Sequence, residues 1–281
     1  MRRRALVAIR PQGSQPTFFC VHPVGGDVLC YAELARHLGS DQPFYGLQVP
    51  DRDGELFLTT IEEMAERCVI AIREVQPEGS YRLGGWSMGG LIAFEMARQL
   101  RANHQGVERL VLLDSRAPAA AQGRVSDTGD TALALVFARD LAGTFGAALP
   151  VTSADLEALN TAEEVLGLLH EKMQAARLVP PDLELSQIVR LFEMFRINIR
   201  AMERYSAPAF SGRLVLFKAG ERLSKNAEAP DLGWGELAAG GLEAKTEDAR
   251  TVYEANPRGY YEWEAIKQIR KQPALLDEDG L

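Results

Sequence analysis

The chain has 281 residues, 46% hydrophobic and 25% charged, the balance of a globular protein rather than of a disordered or membrane-embedded one. A formal net charge of −8 argues against a nucleic-acid groove, because phosphate binding needs a basic face. No apolar run approaches the roughly 20 residues that cross a bilayer, so no membrane association is expected.

The start, Met1 to Arg4 followed by Ala5 to Ile9, has too short an apolar run for a secretory signal and reads as a first strand. Up to about residue 120, β-rich runs alternate with helical patterns, the mark of a parallel sheet with crossover helices. The predicted strands are Leu6–Ile9, Thr17–Val21, Phe44–Leu47, Tyr81–Gly85 and Arg109–Asp114. Helices are expected near Val28–Leu38, Ile61–Val75 and Met88–Arg101, where apolar residues recur at three- and four-residue spacing.

From residue 129 to 205 the alternation gives way to helical patterns only, at Ala132–Phe145, Ala154–Leu159, Ala162–Ala176 and Leu185–Tyr205. Helices inserted between strands of such a sheet cover its carboxyl edge, where ligands bind, so this segment is expected to form a lid. Strand patterns return at Gly212–Gly220 and, more weakly, at Leu242–Lys245, and the chain then becomes polar up to an acidic end. The expected fold class is α/β: one domain over 1–281, a mostly parallel sheet flanked by helices, with a helical lid insertion at 129–205 and an atypical segment at 243–281.

Cys20, Cys30 and Cys68 are odd in number and each lies in an apolar pattern, which points to structural thiols in a reducing, cytoplasmic compartment. They show no Cys-x-x-Cys spacing, so no metal site is expected.

Gly85-Trp86-Ser87-Met88-Gly89 stands where a strand passes into a helix, the required context of a G-x-S-x-G nucleophile elbow. Ser87 on such a turn is exposed as a nucleophile, and Gly85 and Gly89 remove side chains that would collide with neighbouring elements. The turn opens a helix N-terminus, whose amides and dipole favour an anion, so the Met88 amide is a first oxyanion donor. The Val21-His22-Pro23-Val24-Gly25-Gly26 loop follows the second strand, where this fold supplies the other donor, here the Val24 amide. Asp114 closes the strand RLVLLD at the same edge, where a carboxylate could orient an imidazole, although a capping or turn role is also open to it.

The segments FFCVHPVGGDVLCYAELARHLG, PFYGLQVP, YRLGGWSMGGLIAFEMARQL, VERLVLLDS, LVLFKAGE and LGWGELAAGGLE resemble successive segments of type I thioesterase domains from nonribosomal peptide and polyketide synthases. The resemblance implies an α/β-hydrolase fold, and an acyl or peptidyl chain passed from phosphopantetheine on a carrier protein to the serine, then released by water or an internal nucleophile. It implies no bound cofactor; the phosphopantetheine thioester arrives as substrate. By position, Ser87 matches the family's nucleophile, Asp114 its acid, and Val24 with Met88 its oxyanion donors.

In this family the segment after LGWGELAAGGLE carries a Gly-Asp-His-like loop that supplies the general base. Here Asp248-Ala249-Arg250 is the nearest echo, and the histidines are His22, His37, His104 and His170. His22 is nearest the chemistry, but it leads the oxyanion loop instead of facing Ser87 from the acid's side. The sequence therefore points to a thioesterase with impaired turnover. Two alternatives stay open: a non-catalytic module that binds acyl groups or carrier proteins, and a general serine esterase.

Overall fold

The computed structural model describes residues 5–49, 58–118, 129–145, 151, 155, 159–219 and 229–247. Seven strands form one sheet: β1 (Leu6–Arg10), β2 (Phe18–Val21), β3 (Phe44–Leu47), β4 (Tyr81–Trp86), β5 (Val107–Leu113), β6 (Leu214–Ala219) and β7 (Leu242–Glu247). Their order is β1-β3-β2-β4-β5-β6-β7. Only β1 runs against its neighbour, and every other pairing is parallel.

A parallel sheet buries both faces, and period-2 alternation assigns residues to each. Phe19, Val21, Leu83, Leu110, Leu112, Leu214 and Leu216 point to one side, where they share a core with α2 (Ile61–Ile72) and α3 (Met88–Ala102). Phe18, Cys20, Val111, Leu113, Val215 and Phe217 point to the other, packing with α1 (Ala32–His37) and the 3₁₀ turn Leu29–Tyr31 before it. Each such fully buried side chain contributes about 1.5–3 kcal/mol of transfer free energy.

Local signals start the helices. The Thr60 side chain accepts the Glu63 amide at 3.2 Å ahead of α2, whose first turn carries Glu62 and Glu63 against the positive end of the dipole. Thr161 and Glu164 form a capping box that opens α5 (Ala162–Ala175).

The segment between β5 and β6 carries α4 (Asp130–Phe145), α5 and α6 (Leu185–Arg204). They form a third core around Leu133, Phe137, Val165, Leu169, Ile188, Phe192 and Phe195. Arg196 of α6 also reaches Asp130 at the start of α4, at 2.7 Å. The helix expected at 154–159 falls on residues that are largely outside those described.

The strands fall within two residues of the sequence expectation at most ends, and β7 runs two residues further. The helix expected over 28–38 is instead a 3₁₀ turn followed by a short α1. Its break has a physical cause: the buried Tyr31 hydroxyl donates to the Val21 carbonyl at 2.5 Å, which draws this turn onto the sheet edge.

Candidate active site

Ser87 lies between β4 and α3 with φ 54° and ψ −119°, a backbone conformation that a side-chain-bearing residue adopts only under strain. The neighbouring packing imposes it. A Cβ on Gly85 would overlap the Gly89 backbone, and one on Gly89 would overlap the carbonyls of Val21 and His22. Both glycines thus let the first turn of α3 press against β4 and the end of β2. Ser87 makes no side-chain capping bond to its own helix. Its hydroxyl therefore stands at the N-terminus of a 15-residue helix without being spent on it. Met88, first residue of that helix, has a fully buried side chain, and its amide is one of those at the N-terminus without an acceptor within the helix.

Asp114 follows β5 as Ser87 follows β4. Trp86 and Leu113 are paired in register, and the Ser87 amide donates to the Leu113 carbonyl at 2.9 Å. The two residues therefore leave adjacent strands at one edge, about 5 Å apart in backbone position. Asp114 has φ 46°, and its amide donates to Phe217 of β6 at 2.7 Å. The chain beyond it is anchored to the LGWGELA segment: Trp234 Nε1 donates to the Ser115 carbonyl at 2.8 Å, and the Ala117 amide to Leu232 at 3.0 Å. Trp234 is fully buried against Phe94 of α3, so one side chain braces both the segment after Asp114 and the helix after Ser87.

On the other side of β4, the loop from His22 to Gly26 leaves β2. His22 is 3% exposed, and its Nδ1 donates to the Pro23 carbonyl at 2.7 Å. Burial lowers its pKa below the usual 6.5, outweighing the opposite pull of that bond and of Asp27. The Gly26 amide donates to the same carbonyl at 3.0 Å. The structure thus brings Ser87, Asp114, Met88 and the Val24 loop to one edge of the sheet.

The remaining histidines are elsewhere. His37 Nδ1 bonds its own helix at Glu33, and His170 Nε2 bonds the Leu183 carbonyl within the helical insertion. His104 lies just beyond the far end of α3, roughly 22 Å from its start at 1.5 Å per residue. The expected Asp248-Ala249-Arg250 position lies outside the described residues. No group of three or more metal-ligating side chains occurs among the described residues, and no described helix is long and apolar enough to cross a membrane.

Sequence reasoning missed Tyr31 and Asn198. Tyr31 bonds both the β2 end and the Trp86 amide, at 2.8 Å for the latter. Asn198 of α6 donates from Nδ2 to the Val24 carbonyl at 2.8 Å. The signal for Asn198 was present: it continues the inward spacing of Ile188, Phe192 and Phe195, a polar residue at a core position.

Comparison with known proteins gives a consistent family. The thioesterase domain family matches residues 16–254. Chondramide synthase of Chondromyces crocatus is 29% identical over 248 residues, covering 84% of this chain and 6% of the relative. A dimodular nonribosomal peptide synthase of Bacillus subtilis is 43% identical over 111 residues, covering 39% of this chain and 5% of the relative. The chain thus spans a small part of the length of these relatives. Among solved structures, a four-domain nonribosomal peptide synthetase bound to AMP and glycine is 27% identical with a TM-score of 0.82, covering 98% of this chain and 20% of that one. The NocB thioesterase domain, in covalent complex with a fluorophosphonate nocardicin G analog, is 25% identical with a TM-score of 0.61, covering 95% of this chain and 98% of that one.

Proposed function

This chain belongs to the thioesterase domain family, and on that premise we propose that it accepts an acyl or peptidyl chain from phosphopantetheine on a carrier protein, through Ser87. The observation that carries this reading is the strained backbone of Ser87 at the edge it shares with Asp114 and the Val24 loop. In the acylation step a bond forms between Ser87 Oγ and the acyl carbon, and the carbon–sulfur bond to pantetheine breaks. The serine proton ends on the departing thiolate. Negative charge that develops on the carbonyl oxygen is met by the Val24 amide of the loop after β2 and by the Met88 amide at the positive end of α3. Water or an internal nucleophile of the acyl chain then releases the product.

Asp114 is the triad acid in this reading, and its imidazole partner has no match among the four histidines. His22 is the only one at the site edge, but its Nδ1 is engaged by Pro23 and is not offered to Asp114. Loss of one triad member still leaves about 10³–10⁴-fold catalysis over water from the oxyanion site and binding. Turnover is therefore expected to be slow. Thiolate is a good leaving group and lets acylation proceed with little acid assistance. The helices at 129–205 act as the lid, and the reaction takes place in the cytoplasm beside the carrier protein.

The same shortage of histidines favours one further reading, a binding module for acylated carrier proteins that does no chemistry. Hydrolysis of an acyl-pantetheine thioester decides between them. Slow release of thiol that disappears in Ser87→Ala supports the thioesterase, while tight binding with release no faster than in buffer selects the module.

A further inference from the structure

The bond between Asn198 and Val24 joins residues 174 positions apart in the sequence. Asn198 is 2% exposed on the inward stripe of α6, where an amide without a partner would be destabilising. Its partner is the backbone of the oxyanion loop. Two other contacts join the same elements. The Met194 sulfur, one turn earlier on α6, occupies the space a Cβ on Gly26 would need, and Gly26 has φ 78°. The Val24 side chain packs against the core of the inserted helices.

The Val24 amide is therefore held from both sides. Its own peptide plane contains the Pro23 carbonyl, fixed by His22 Nδ1 at 2.7 Å and the Gly26 amide at 3.0 Å. That peptide is trans and planar, so the Val24 N–H points away from the fixed carbonyl. The next peptide plane carries the Val24 carbonyl, fixed by Asn198. With both flanking planes held, the rotations that would swing the amide are blocked.

We propose that Asn198 is a positioning residue through which helix α6 sets the direction of the Val24 amide, making the helical insertion part of the anion site. This rests on the reading of that amide as an oxyanion donor. The far end of α6 is tied to the other donor's helix as well. Tyr205 Oη donates to Glu95 of α3 at 2.6 Å, and Glu95 also accepts from Arg98. α6 is thus attached to both halves of the anion site. Any displacement of α6 away from the loop also takes the Val24 amide out of position.

The test is labelling of Ser87 by a fluorophosphonate, read by intact mass, in the wild type, Asn198→Leu and Asn198→Ala. The step joins Ser87 Oγ to phosphorus and expels fluoride, the serine proton passing to solvent, with charge developing on the phosphoryl oxygen. The maximal labelling rate should fall about 10- to 100-fold in either variant, while the half-saturating concentration changes by less than about twofold. Hydrogen exchange at the Gly26 amide should accelerate. A maximal rate within about twofold of wild type in a folded variant overturns the proposal. The alanine variant adds no bulk and serves if the leucine variant does not fold. If the wild type itself is not labelled, the acyl-serine reading fails separately, and Gly26 exchange judges the clamp: acceleration supports it, and an unchanged rate overturns it.

Discussion

The Tyr31 hydroxyl accepts the Trp86 amide at 2.8 Å while donating to the Val21 carbonyl at 2.5 Å, and so it continues the β2–β4 ladder past its last backbone pair, Val21 with Gly85. The phenol thus bridges the two strand ends where the Ser87 turn and the His22–Gly26 loop leave them. Burial raises its pKa well above the ordinary value, so it remains a neutral donor at all working pH values.

Tyr31→Phe should leave a buried carbonyl and a buried amide without this partner. Stability should fall by about 2 kcal/mol, measured by urea unfolding. An unchanged midpoint would show that the hydroxyl does not hold the two strand ends together.

Gly89→Ala and Gly167→Ala make a matched pair. A Cβ at Gly89 meets the Val21 carbonyl, whereas at Gly167, within α5, it meets nothing within 4 Å. The first should cost about 3 kcal/mol or more, or prevent folding. The second should stabilise by about 0.5–1 kcal/mol through helix propensity. Equal effects in thermal melting would contradict the packing described for the elbow.

Ser115, beside Asp114, is fully buried, and its hydroxyl has no hydrogen-bond partner among the described residues. Ser115→Ala removes this unmet polar group and should raise stability by about 1 kcal/mol. Loss of a comparable amount would mean that the hydroxyl is bonded.

His22 links stability to pH. Its folded-state pKa lies below the unfolded value near 6.5, because burial disfavours the cation. The unfolded chain therefore takes up a proton that the folded chain refuses, and stability falls as pH drops below about 6.5. The slope from this one group reaches at most about 1.4 kcal/mol per pH unit. Urea titrations at pH 7 and 5.5 should show a smaller difference for His22→Gln than for the wild type. Identical differences would place the His22 pKa at its ordinary value.

The elements legible in the sequence were those with local signals. Short β-rich runs alternating with helical patterns marked the parallel strands, and Gly85 and Gly89 around Ser87 marked the elbow, because the constraint on each lies within a few residues. The antiparallel run of β1 was not legible, since short strands carry no mark of direction. The helix at 28–38 was misjudged because its apolar spacing is helical, while the pull on Tyr31 comes from Val21 and Trp86. Asn198 is marked in the sequence as a polar residue on a core stripe, but its partner was not legible, because that partner is a backbone carbonyl on a distant loop and a carbonyl has no sequence signature.

Intact mass spectrometry of the protein after incubation with an acyl-pantetheine thioester and an acid quench most directly tests the role given to Ser87. The account predicts a mass increase equal to the acyl group, mapped to Ser87 and absent from Ser87→Ala. Release of pantetheine thiol at equal rates from the wild type and Ser87→Ala, or an adduct on another residue, would contradict it.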